Sequence, residues 1–126
     1  MSVTVMKFWA GPNVYALAAG CVEGIGPERP SVPHLRWVLS GEIPEFSGGR
    51  RTLHVAARGQ RTMVTVDGPI ELVELGSDDI APCRTTTSSM IMGFARAGGS
   101  HVVALLDADR VVEILHQAAT ETLSEI

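Results

Sequence analysis

The sequence has little of several features that mark particular classes of protein. Its two cysteines, Cys21 and Cys83, lie far apart, which favours two reduced thiols over a disulfide framework or a zinc site. Aromatic residues make up 5% of the chain, and its two tryptophans are too separated to form a stacking platform for bases. No apolar run reaches the roughly 18 to 20 residues of a membrane helix, and the N-terminus lacks a signal-peptide pattern. We therefore expect a cytoplasmic protein with no direct membrane insertion.

The overall charge and length narrow the possibilities further. A net charge of −4 argues against nucleic acid or an anionic membrane surface as the main partner. A hydrophobic content of 45% with 19% charged residues argues against disorder. A chain of 126 residues is long enough for a single domain with a substantial core.

Short β-branched and apolar runs separated by turn residues predict a mainly β fold. Residues 3–9 and 14–17 flank Gly11-Pro12-Asn13 as a first hairpin, and residues 52–57 and 62–66 flank Arg58-Gly59-Gln60 as a second. Asp67-Gly68-Pro69 is expected to end that second hairpin.

The segments between the two hairpins and after the second one are less regular. Three prolines make residues 26–34 an extended connector, which an apolar run over 35–39 follows. Residues 41–46 fit a brief edge strand, because Pro44 cannot donate to a ladder in mid-sheet. The polar run over 83–89, rich in Thr and Ser, is the predicted mobile loop.

The last third of the chain predicts a hairpin that leads into a capped helix. The Gly98-Gly99-Ser100 turn precedes an apolar strand that ends at Leu106. Asp107 suits an N-cap, because its carboxylate can accept from the free amides of the first turn. Apolar residues then recur at helical spacing over 111–123, so this face is expected to pack on the sheet.

The sequence carries no convincing catalytic or cofactor motif. Asp107 and Asp109 could bind Mg²⁺, but an N-cap followed by a first-turn acid explains both. His54, His101 and His116 have no nucleophile motif to activate. The glycine-rich turns lack the spacing of phosphate-binding loops. We therefore expect no enzyme activity, no cofactor and no metal.

Four arginines lie close together in the second predicted hairpin: Arg50, Arg51, Arg58 and Arg61. On adjacent arms they could form a patch for an acidic partner or a nucleic acid, although such charges more often solvate an exposed face.

Several of these features occur in the order and spacing of a known family. Residues 64–82 and 91–112 contain a strand ending in Val-Asp, a strand of alternating Val and Leu, an Ile-x-Pro, a Gly near a hairpin, and a strand ending in Leu-Asp before a helix. The positions that carry this pattern are Asp67, Ile80, Pro82, Gly93 and Asp107. Upstream, the pattern includes Phe8, Tyr15-Ala16-Leu17, Val22 and Ile25. In these parts the chain resembles the CheW-like domains of chemotaxis coupling proteins.

The middle of the chain departs from that family. Its Gly-Val-x-Asn-Leu-Arg-Gly motif is represented only by Leu39-Ser40-Gly41, with Trp37 near the first Gly. Ser40 stands in the place of the Arg, and the following Asp-Leu strand is missing. The chain thus resembles a short, divergent family member with a truncated middle region.

The resemblance implies a pair of small SH3-like β-barrels, the second truncated, plus a C-terminal helix. The first barrel would span about 1–25 and 64–115, the reduced second barrel about 26–63, and the helix about 107–123 of a single domain over 1–126.

The resemblance also implies a non-catalytic adaptor of a bacterial chemosensory array. The implied partners are the cytoplasmic tip of a methyl-accepting chemoreceptor, the regulatory domain of a CheA-type histidine kinase, and other CheW-like proteins. The shortened middle predicts weakened kinase coupling. The candidate partner-binding residues are Val22, Trp37, Ser40, Gly41, Ile70 and Leu72.

A small-molecule-binding β-barrel unrelated to chemosensing is the alternative function. Such a protein would have an enclosed pocket and a ligand that raises its melting temperature, because a ligand that binds the native state stabilises it.

Overall fold

The computed structural model describes residues 2–42, 49–82, 90–97 and 101–124. Within these ranges it contains eight strands, two helices and two short 3₁₀ turns. The strands are β1 (Ser2–Ala10), β2 (Asn13–Ala18), β3 (Val22–Pro27), β4 (Arg50–Ala57), β5 (Gln60–Gly76), β6 (Ile80–Pro82), β7 (Ile91–Ala97) and β8 (His101–Leu106). The helices are α1 (Leu35–Ser40) and α2 (Ala108–Ser124), and the 3₁₀ turns are Ala19–Cys21 and Ser77–Asp79.

All eight strands belong to one sheet, in the order β3-β4-β5-β1-β2-β8-β7-β6. Every neighbouring pair is antiparallel except β2 and β8, which run parallel. Strand β5 is 17 residues long and joins two parts of the sheet. Residues 60–67 pair with β4, whereas residue 67 and residues 71–76 pair with β1.

The two faces of the sheet carry separate hydrophobic clusters. The smaller cluster contains Val5, Ala16, Leu75, Ala95, Val103 and Leu105, all from strands. The larger cluster lies on the opposite face and includes residues of α1 and α2. Its bulkiest fully buried members are Phe8, Leu17, Leu35, Leu53, Val55, Val64, Val66, Val111 and Val112. Helix α2 therefore covers β4 and the first half of β5, as the apolar face of the predicted helix required.

Both predicted hairpins and the terminal helix are present. Strands β1 and β2 pair around the first turn, and β4 and β5 pair around the second. Strands β7 and β8 pair as the predicted arms of the last hairpin. The amide of Asp109 donates to Asp107 Oδ1 at 3.0 Å, so Asp107 caps α2 as expected.

The expectation that Asp67-Gly68-Pro69 ends a strand was wrong, because β5 continues through all three residues. Opposite this segment, the pairing of β5 with β1 shifts register between Lys7 and Trp9. A bulge interrupts the ladder locally, so Pro69 is tolerated although it has no amide to donate.

The apolar run over 35–39, for which the pattern gave no element, forms α1. The predicted edge strand over 41–46, the loop over 83–89 and the turn over 98–100 lie wholly or largely outside the described residues. The division of the domain into a first and a reduced second barrel stays a prediction.

Candidate protein-binding groove

An open groove of about 480 Å³ lies where β3 and β4 meet the middle of β5. Its lining residues come from β3, from the start of β4 with the preceding residue, and from the middle of β5: Ile25, Gly49, Arg51, Gly68, Pro69 and Ile70. Strand β4 ends its pairing with β5 at Arg50, opposite Asp67. The groove opens there because β5 continues beyond the last residue of β4 with which it pairs.

Glycine backbone forms the floor of the groove. The Gly68 amide donates to the Gly49 carbonyl at 3.0 Å, which holds the two chains together. Gly49 has a φ of +84°, in the left-handed region that favours glycine. A Cβ on Gly68 would lie 3.0 Å from the Gly49 oxygen, so a side chain there would crowd the backbone. The groove lining therefore has no side chain at these two positions.

The walls are apolar and open to solvent. Ile25 is 47% exposed, and Leu72, just beyond the groove on β5, is 64% exposed. Ile70 is half-buried and packs against the larger cluster, as does Met6, which lies opposite Leu72 on β1. Because side chains on a strand alternate between faces, Ile70 and Leu72 share one face of β5. Together with Ile25 they form an apolar strip that is exposed at Ile25 and Leu72 and half-buried at Ile70.

Arg51 places a positive charge at one end of this strip. Its guanidinium is exposed, and Nη1 donates to the Arg50 carbonyl at 3.0 Å. Among the described residues no acidic side chain lines the groove, although the chain as a whole carries a net charge of −4.

A buried polar cluster anchors the neighbouring structure to β5. Asp67 is only 4% exposed, and its Oδ2 accepts from the Gly11 amide at 2.9 Å. Its Oδ1 lies 3.1 Å from His34 Nε2 and 3.4 Å from Arg50 Nε. A carboxylate with this many donors can remain charged at low exposure. Asp67 therefore ties the β1–β2 turn, the start of α1 and β4 to the middle of β5.

His34 links Asp67 to α1 through both of its ring nitrogens. Nδ1 accepts from the Arg36 amide at 3.1 Å and so caps the helix. Because Nδ1 is an acceptor, the proton of the neutral ring lies on Nε2, which donates to Asp67. The adjacent Pro33 carbonyl accepts from the Thr65 amide at 2.9 Å. These bonds fix a short helix whose sequence has weak intrinsic support.

The six candidate residues predicted from the sequence lie in three places. Ile70 and Leu72 share the face of β5 beside the groove. Val22 lies on β3 opposite Val55, half-buried against the larger cluster, and does not line the groove. The remaining three, Trp37, Ser40 and Gly41, belong to α1 and its C-terminal cap.

None of the α1 candidates lines the groove, and Ser40 alone of the three lines a second cleft. Ser40 lines a cleft of about 330 Å³ with residues of β2, β7 and α2. Its hydroxyl donates to the Arg36 carbonyl at 2.9 Å. Gly41 ends the helix with a φ of +74°, which glycine adopts readily. Trp37 is 47% exposed, so its ring is accessible to a partner.

Three residues that matter to the groove were missed as candidates: Ile25, Arg51 and His34. Ile25 lies between Gly24 and Gly26, which have no side chains to shield it from solvent. These glycines were the sequence signal for the exposure of Ile25. His34 follows a proline and precedes an apolar run, but histidine is not one of the usual N-cap residues, so its role had no clear signal.

The four arginines of the second hairpin do not form one patch. Arg50 lies near Glu28 and Asp67, Arg58 pairs with Asp109 at 2.9 Å, and Arg61 pairs with Glu23 at 3.2 Å. Only Arg51 of the four lines the groove.

The described residues contain no group of three side chains able to hold a metal ion. Nor does any helix in those ranges have the length and apolarity needed to cross a membrane.

Comparison with known proteins gives a structural match and no sequence match. No family profile matches the sequence, and neither does any curated protein. The crystal structure of the scaffolding protein TtCheW from Thermoanaerobacter tengcongensis matches 85% of this chain and 90% of its own, with a TM-score of 0.67 and 16% sequence identity. The fold class predicted from the sequence is thereby confirmed, and the chain has a CheW-like fold, mainly β with a C-terminal helix.

Proposed function

We propose that this protein is a non-catalytic, cytoplasmic adaptor of a bacterial chemosensory array, and that it binds the cytoplasmic tips of chemoreceptors. The observation that carries the proposal is the open apolar strip of Ile25, Ile70 and Leu72 beside a glycine-floored groove. It occurs in a fold similar to that of a scaffolding protein. Exposed aliphatic side chains gathered at one groove fit a docking surface better than a solvated face.

The chemistry of the groove suits a helix of a receptor tip. An amphipathic helix can lay its apolar residues into such a trough, with aliphatic anchors at helical spacing. A contact that buries about 600 to 1,000 Å² gives only micromolar affinity. Weak individual contacts are adequate in an array, because repetition raises the effective affinity.

Kinase coupling is expected to be weaker than receptor binding. Ser40 stands where the resemblance places an arginine, and its hydroxyl is engaged by the Arg36 carbonyl. A serine there supplies no cation for a kinase regulatory domain. Trp37 remains the exposed residue of α1 best suited to anchor a partner, since aromatic rings contribute strongly to binding. Val22 and Gly41 stay candidates at the edges of these surfaces.

The test is parallel binding of the purified protein to a receptor signalling-tip fragment and to a CheA-type regulatory domain. We expect binding to the tip, and binding to the kinase domain at least about tenfold weaker than that of a CheW-like protein with the arginine. Kinase binding as tight as that of a CheW-like protein with the arginine would contradict the weakened coupling. Failure to bind the tip would contradict the adaptor function.

The matched variants are Leu72→Ala in the strip and Val102→Ala outside it. Both residues are exposed aliphatics on strands, with 64% and 58% of the residue accessible. Loss of tip binding in Leu72→Ala alone would assign the contact to the groove.

A further inference from the structure

We propose that the groove binds a receptor-tip helix in one fixed direction. This helix carries an acidic residue at one end of its apolar anchors and a basic residue at the other. This inference rests on the proposed function and specifies the chemistry of its partner.

The acidic requirement comes from Arg51. Its Cα lies opposite Val66 on β5, and the two residues of a cross-strand pair point to the same face of a sheet. Arg51 therefore lies on the face that carries Ile70 and Leu72, at the end of the strip nearer β4. Among the described residues no carboxylate lines the groove, so Arg51 attracts an acidic side chain there and repels a basic one.

The basic requirement comes from Glu74. It follows Leu72 by two residues on β5, so strand alternation places it on the same face. Its Cα lies opposite that of the exposed Thr4 on β1, and Glu74 is itself exposed. The strip therefore runs from a cation through aliphatic residues to an anion.

The spacing along β5 fits successive turns of a helix. Two residues of a strand span about 6.7 Å, so Ile70 and Leu72 are separated by roughly that distance. One helical turn rises about 5.4 Å, so anchors at i and i+4 on a partner helix meet both aliphatic residues. Arg51 is level with Val66, which precedes Ile70 by four residues or about 13 Å of extended strand, so an acid about two turns before the anchors faces Arg51. A base about one turn after the anchors faces Glu74. In the reversed orientation, both pairs would bring together like charges.

The direct test is the affinity of the full chain for a receptor-tip fragment after charge reversal. We expect Arg51→Glu to weaken binding about tenfold and Glu74→Lys to weaken it about threefold, since exposed pairs are worth modest energies. Arg96→Glu is the charge-matched control, because Arg96 is exposed on β7 and does not line the groove. It should bind within about twofold of wild type.

Variants of the receptor-tip fragment test the proposal with the wild-type chain, even if Arg51→Glu does not fold. Reversing the tip acid that faces Arg51 should weaken binding of the wild-type chain to the same extent and restore binding to Arg51→Glu. If wild type binds the tip but every acid-to-lysine change in the tip affects Arg51→Glu and wild type equally, the fixed direction is wrong while the adaptor function stands. Equal losses in Arg51→Glu and Arg96→Glu would also overturn it. If wild type does not bind the tip, the adaptor function fails and this inference fails with it.

Discussion

The two halves of strand β5 carry the same alternating apolar pattern but have different surroundings. In the first half, Val64 and Val66 are 1% and 0% exposed beneath α2. In the second half, Leu72 is 64% exposed although it also lies on the face of the larger cluster. Strand β4 stops pairing with β5 at Asp67, so the second half of β5 lacks this neighbour. Alternation therefore identifies the face of an aliphatic residue, whereas distant elements decide whether it forms core or contact surface.

The largest effect is expected at the junction of the two halves. Asp67→Ala removes the acceptor of the Gly11 amide and of His34, and leaves Arg50 without this carboxylate. Removing one partner of a buried charged pair is strongly destabilising, so we expect a loss of about 3 kcal/mol in the free energy of unfolding. Urea denaturation measures it.

The matched control for that change is Asp78→Ala. Asp78 is an exposed carboxylate in the 3₁₀ turn after β5, and its loss should change stability by less than about 0.5 kcal/mol. Equal effects of the two substitutions would contradict the anchoring role of Asp67.

Shortening a buried side chain in the first half of β5 should also destabilise the protein, but less than Asp67→Ala does. Val66→Ala removes two methyl groups from a fully buried site and adds only a small cavity, so we expect a loss of about 2 kcal/mol. The midpoint of urea denaturation should fall without a change in slope. A loss below about 0.5 kcal/mol would show that α2 does not cover this half.

The stability of helix α2 can be reduced at its N-terminus. Asp107→Ala removes the bond from the Asp109 amide and should destabilise the protein by about 1 kcal/mol. Asp107→Ser keeps a capping oxygen and should retain most of that stability in the same thermal melt. If serine is no better than alanine, the cap contributes through something other than this hydrogen bond.

The smallest change in stability is expected in the open half. Leu72→Ala should alter the free energy of unfolding by less than about 0.5 kcal/mol, because most of the side chain is already in water. A loss near that of Val66→Ala would mean that Leu72 belongs to the core.

Much of the fold followed from local patterns in the sequence. The alternating runs gave the arms of both hairpins, and Asp107 marked the start of α2. Helix α1 could not be found this way, since its six residues show no clear period and its cap is a histidine held by Asp67, 33 residues away. The continuity of β5 was missed because proline usually ends a strand, and only the irregular pairing with β1 removes that conflict.

The candidate site was predictable in part. The period of a strand placed Ile70 and Leu72 on one face, which the register with β1 agrees with. The exposure of Ile25 had only a weak signal, the glycines on either side of it, because an aliphatic residue on a strand looks like core until its neighbours in space are known. Arg51 was grouped with three nearby arginines, and only the partners of Arg50, Arg58 and Arg61 separate it from them.

The most direct test of the open strip as a receptor contact is one experiment on Leu72→Glu, with unfolding and receptor-tip binding measured on the same preparation. We predict that the variant unfolds within about 0.5 kcal/mol of wild type and binds the tip at least about tenfold more weakly. If a stably folded Leu72→Glu variant binds the tip as tightly as wild type does, the open strip is not the receptor contact.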